Sequence, residues 1–224
     1  MNGDARELVF VDDVVRALFE AHGLHDLEAL CTNMVGEVIT TARTRTCRRV
    51  EVAGRCFYVK SQDLRSKRLP LRKWPSYALR GSPLQREVQS LARLASAGFS
   101  VPRLVAHGVR RRRGLPLLAA IVTEAVETHV DLQRWCATAA AEDDDIARAC
   151  FDAAEQVVFS AHERGLVLFG AKYRNLLVPH TGARSLREFV IIDQPDLRKS
   201  RSVRGRNKDM LLLRRDRQSY GRGR

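Results

Sequence analysis

The chain of 224 residues is 45% hydrophobic and 29% charged, an ordinary globular balance that excludes collagen-like, coiled-coil and wholly disordered chains. Its 39 Lys and Arg against 26 Asp and Glu leave a net charge of +13, so a polyanion is expected as a partner. Charge alone does not choose among nucleic acid, an anionic membrane face and a phosphorylated or carboxylated glycan.

In chain order, Val11–Gly23 reads as a helix stopped by glycine, and Asp26–Cys31 adds a short second turn. The period then changes. Val35–Thr41, Arg48–Ala53 and Arg55–Lys60 are β-prone runs, with Ala53-Gly54 as a hairpin turn, which predicts three antiparallel strands. Lys60–Arg80 is strongly basic, with Asp63 as its one acid. Ser82 and Pro83 supply an N-cap and first-turn proline for a helix whose apolar stripe is Leu84, Val88, Leu91 and Leu94, ending at Gly98.

Val101–His107 and Leu117–Glu124 read as strands flanking the run Arg110–Arg113. Helices are expected over Asp131–Ala139 and from about Asp143 to Glu163, the latter closed by Arg164-Gly165. Short strands follow at Leu176–Val178 and Glu188–Asp193. A last apolar segment, Met210–Leu213, lies between basic flanks, and Ser219–Arg224 reads as a frayed tail. This order predicts an α+β, two-lobed protein kinase-like fold with a β-rich N-lobe and a short helical C-lobe. The expected organisation is an N-terminal helical extension over 1–34, the N-lobe over 35–125, a reduced C-lobe over 126–214 and a basic tail over 215–224.

Leu115–Val122, an example of the longest apolar runs, falls short of the roughly 20 residues that cross a bilayer. The first seven residues lack the basic start and apolar core of a secretion signal, and the five cysteines form no C-x-x-C pair. A cytoplasmic chain with reduced thiols is expected. Of the six histidines only His22 and His25 are closely spaced, and they read as a helix-end pair rather than metal ligands.

Phosphoryl transfer from ATP needs a cation on the phosphates, a group that fixes it, a metal on oxygen ligands, and a base or orienting group for the attacking hydroxyl. Lys60 ends its strand where such a fold keeps a phosphate-binding lysine, and Glu87 lies in the next helix where it could orient that lysine. Asn175 and Asp193, each beside a short strand, are candidate ligands for Mg²⁺. Glu124 ends the strand that leads to the lobe connector, where backbone would meet adenine. Each position also has a plain structural reading, as a solvated strand end, a helix glutamate, a loop amide or a strand-ending acid.

The stretch Thr46–Lys60, with Arg86-Glu87 and Gly98–Gly108, resembles the lipopolysaccharide core kinase family, the Kdo/WaaP and InaA-like group. The likeness continues through Ile121–Ala125, His162–Gly165, Asn175–Val178, Ile191–Asp193 and Lys208–Leu211. The resemblance implies Lys60 as the nucleotide-phosphate lysine, Glu87 as its partner, Asn175 and Asp193 as metal ligands, and ATP and Mg²⁺ as cofactors. It further implies phosphorylation of a lipopolysaccharide inner-core sugar at the cytoplasmic face of the inner membrane, with an anionic glycan or lipid as partner and peripheral attachment.

One departure stands out. An ungapped register against His-x-Asp-x-x-x-x-Asn puts Leu168 at the histidine and Gly170 at the catalytic aspartate, and no acid occurs between Glu163 and Glu188. A pseudokinase that keeps the fold as a binding module is therefore the alternative. Nucleic-acid binding is a third reading, disfavoured because the basic runs lack interleaved aromatics and match no groove-reading motif.

Overall fold

The computed structural model describes residues 8–65, 74–138 and 143–221. The chain divides into two compact units, one comprising 1–89 and 103–125 and the other 90–102 and 126–224.

The first unit is a six-stranded antiparallel sheet in the order β1-β5-β6-β4-β3-β2. Its strands are β1 (Leu8–Phe10), β2 (Glu37–Ala42), β3 (Arg45–Val52), β4 (Arg55–Asp63), β5 (Leu104–Arg112) and β6 (Leu115–Glu124). The expected three-strand meander is β2-β3-β4. Its β3–β4 turn has positive φ at both Ala53 (47°) and Gly54 (72°), the conformation a tight two-residue hairpin requires. Arg113 (50°) and Gly114 (79°) repeat that geometry between β5 and β6. The arginine run therefore forms the end of β5 and its turn: Arg110 donates to Glu28 at 3.0 Å and Arg111 to Gln85 at 3.2 Å.

Helices α1 (Asp13–Ala21) and α2 (Leu27–Thr32) begin at Asp12 and Asp26, whose carboxylates accept the first free backbone amides. Their apolar faces share one core with the sheet, with Phe19 stacked edge-on between Phe10 and Phe57. The segment expected as a helical extension thus also supplies β1, which pairs with β5. A three-residue strand is too short to show a period of two. Helix α3 (Trp74–Arg80) lies inside the basic run and is tied to β4 by Gln62 donating to the Tyr77 hydroxyl at 3.1 Å. Helix α4 (Pro83–Ser96) starts as predicted, with Ser82 and Gln85 capping each other's backbone amides.

The second unit is built around α6 (Asp144–Glu163), capped by Asp143. Its buried face is mostly small (Ala147, Cys150, Ala153, Ala154, Val157, Ala161), which lets neighbours approach closely. Against it pack α5 (Leu132–Trp135), the sheet β10-β9-β7, made from β7 (His129–Asp131), β9 (Leu176–Pro179) and β10 (Val190–Ile191), and the terminal helix α7 (Val203–Gly221). A further pair joins β8 (Leu166–Val167) to β11 (Arg198–Lys199). Helix α5 is shorter than the Asp131–Ala139 expected and stops at Cys136; Ala139 lies outside the described residues. The helix α7 runs on through 215–221, residues that composition alone assigns to a basic tail.

Candidate active site

In the first unit, Lys60 lies on β4 between Cys47 of β3 and Ile121 of β6. Its Nζ donates to Glu87 Oε1 at 2.5 Å. Glu87 is 4% exposed, on the inner side of α4. A carboxylate that far from water is retained only with a cation to hold it. Glu124, at the end of β6, accepts from Arg55 and, at 3.1 Å, from Arg103; Arg103 also donates to Asp12. Its side chain is thus engaged in a surface network that locks the start of α1 to β6. The Asp12 carboxyl is held below its ordinary range, chiefly by the Val15 amide, with Val14 and Arg103 adding to it.

In the second unit, antiparallel pairing of Ile191 with Leu176 sets the residue before β9 beside the residues after β10. The Ile192 amide donates to the Asn175 carbonyl at 3.0 Å. The Asn175 side-chain amide donates to the carbonyls of Gly170 at 2.9 Å and Asp193 at 3.4 Å. With Nδ2 so engaged, Oδ1, the atom a hard cation takes, is the branch of the amide left for a ligand. The structure therefore brings Lys60 and Glu87 together in one unit, and Asn175 and Asp193 together in the other. Among the described residues no cluster of three or more His, Cys, Asp or Glu side chains could hold a metal.

Two backbone positions in the second unit are held at positive φ without glycine, Phe169 (58°) and Asp193 (52°). Such conformations cost about 1–3 kcal/mol each and persist where surrounding contacts enforce them. Around Phe169, contacts from α7 hold the loop. The Asp209 carboxylate, fully buried, accepts from the Leu168 amide at 2.8 Å and lies 3.2 Å from His162 Nε2; Asp216 accepts from the Tyr173 amide at 2.9 Å. The loop 168–175 is therefore hung at both ends on the terminal helix.

Gly170 sits inside this loop. A β-carbon there would lie 3.3 Å from Gln194 Oε1 and 3.6 Å from Asn175 Nδ2. Gln194 is 2% exposed, its Nε2 donates weakly to the Gly170 carbonyl at 3.4 Å, and its Oε1 is buried without a partner. Space beside residue 170 is thus taken by an amide from the residue after Asp193. Sequence reading gave no role to Gln194 or to Asp209, although Asp209 lies in the Lys208–Leu211 stretch that carries the resemblance. Nothing marks Gln194 locally, whereas an acid four residues before Leu213 in an apolar stretch was a usable signal for Asp209.

The family model for the lipopolysaccharide kinase (Kdo/WaaP) family matches residues 26–221. The chain belongs to that family. A solved structure of WaaP in complex with acyl carrier protein is similar at a TM-score of 0.66 and 24% identity, over 96% of this chain and 87% of that one. That likeness carries the kinase-like α+β fold. Among curated proteins none matches the chain in sequence.

Proposed function

We propose that the protein is a Mg-ATP-dependent phosphotransferase acting on a sugar of the lipopolysaccharide inner core, presented at the cytoplasmic face of the inner membrane. The observation that carries this reading is the Lys60–Glu87 pair, in which a buried carboxylate is held by a partly exposed ammonium. Burying an ion pair between a strand and a helix adds little stability over an apolar pair of similar volume, so its retention points to a use for the cation. Lys60 neutralises nucleotide phosphate and Glu87 holds its ammonium in place. The backbone at Glu124 meets the adenine, and Asn175 Oδ1 with the Asp193 carboxylate holds Mg²⁺. When bound, the metal supplies positive charge to the phosphoryl group in transfer.

No carboxylate in the loop 168–175 can take the acceptor's proton, while Lys172 and Arg174 leave the loop cationic. Phosphoryl transfer rests mainly on positioning and charge neutralisation, and losing a base costs roughly 10²–10⁴-fold. A slow enzyme follows. The acyl carrier protein of the solved WaaP complex suggests such a carrier as a partner here also.

Calorimetric titration of ATP with and without Mg²⁺ tests the site. Mg-dependent binding is expected in the natural protein and its loss in Lys60→Ala and Asp193→Ala. Unchanged affinity in both variants would sink the assignment. Gly170, with the Gln194 amide against it, favours a second reading as a pseudokinase. Nucleotide binding without transfer to any core glycan would select that reading.

A further inference from the structure

Helix α7 has two unlike sides. Asp209, Leu213 and Asp216 point inward, Tyr220 stacks on Tyr173, and Arg217 pairs with Asp152 and Glu155 of α6. The opposite side carries Arg204, Lys208, Leu211, Arg214 and Arg215, all exposed and spaced so that they form one face. Neither acid of the helix lies on that face. Leu211 is 68% exposed among the cations, and Val203, 69% exposed, stands at its edge. Arg198, Lys199 and Arg201, also exposed, lead into it.

We infer that the outer face of α7 docks on an anionic lipid bilayer. The composition of the face selects that occupant. A protein partner is usually fixed by a desolvated aromatic or arginine anchor and by charges of both signs in register, and this face has one sign only. Single-stranded nucleic acid is held by stacking on exposed aromatics, and the one aromatic near the end of α7, Tyr220, is engaged with Tyr173. Cations around isolated aliphatic side chains suit a surface that is uniformly negative outside and apolar just beneath. This deepens the membrane-face setting proposed above and rests on it for its context, though its geometry lies wholly within the second unit.

Flotation of the full chain with vesicles of phosphatidylethanolamine and phosphatidylglycerol, against vesicles of phosphatidylcholine, tests the inference. Binding is expected to the first only, and to weaken as salt rises. Each cation near an anionic surface contributes about fivefold, so Arg204→Glu, Lys208→Glu and Arg215→Glu together should lower partitioning by at least about 10²-fold. The neutral Arg204→Gln and Lys208→Gln pair gives the same direction should charge reversal disturb folding, which a thermal melt detects. Failure of the natural protein to bind the anionic vesicles, or unaltered binding by both variants, overturns the inference. So does displacement of the protein from anionic vesicles by random oligonucleotides in competition. Mg-ATP affinity should be the same in natural and variant proteins. A chain that binds vesicles through this face but no nucleotide leaves the docking surface standing and removes the kinase reading.

Discussion

A carboxylate restored at position 170 would meet an amide oxygen that already lacks a hydrogen-bond donor. Gly170→Asp alone places its β-carbon 3.3 Å from Gln194 Oε1 and sets two acceptors against each other. The single variant is expected to lose about 1–3 kcal/mol of stability by overpacking and to gain no turnover. Gly170→Asp combined with Gln194→Ala opens that space. On the kinase reading, the pair should turn over ATP at least ~10²-fold faster than the single variant, the lower range for a general base. Parallel urea unfolding of the four proteins of this cycle would show coupling between neighbours, and strict additivity would count against the contact. The Lys60–Glu87 pair could be anticipated from sequence through the family resemblance at Thr46–Lys60 and Arg86-Glu87, although β4 runs past Lys60 to Asp63 and α3 intervenes before the helix that carries Glu87. Gln194 could not, because no motif or periodicity marks it and its meaning comes only from the fold that sets it beside Gly170.

Among the elements, α7 departs most from its sequence reading. Only Met210–Leu213 stood out as apolar, yet the helix covers Val203–Gly221. Its inward side mixes Asp209 and Asp216 with Leu213 and Tyr220, so the usual contrast between an apolar and a polar face is blurred. Its inward face is held by tertiary hydrogen bonds from Asp209 and Asp216 as much as by apolar packing. Asp209→Ala leaves the Leu168 amide buried without an acceptor, and each such orphan costs about 1–3 kcal/mol. A fall in the urea midpoint with an unchanged slope is expected, together with faster hydrogen exchange across 168–175. The missed α3 has a related cause, since a short helix inside a run of cations has no apolar stripe to announce it. The capped helices α4 and α6 were legible because Ser82 with Gln85, and Asp143, act over a few residues.

On the scale of the whole molecule, each unit encloses a thiol that burial makes hard to ionise. Desolvation pushes Cys31 up to about 12 and Cys150 up to about 11, from an ordinary value of 9.0. Between pH 9 and these values the unfolded chain has released protons that the folded chain retains, so stability falls as pH rises. Urea midpoints should be insensitive to these thiols below about pH 9 and decline above it, less so in Cys150→Ala at equal starting stability. A flat alkaline limb would mean that both thiols ionise freely. The sheet-then-helix order was readable from the change in period along the chain. The six-stranded closure was not, because β1 pairs with a strand about a hundred residues later.

The loop 168–175 hangs on carboxylates 41 and 43 residues further along the chain. During synthesis the sheet unit has all its residues once Ala125 has emerged, but this loop has nothing to close upon until α7 follows. The part of the fold nearest the proposed chemistry is therefore the last to assemble. On the kinase reading, a stop codon within α7 would abolish phosphotransfer while leaving Lys60, Glu87, Asn175 and Asp193 untouched.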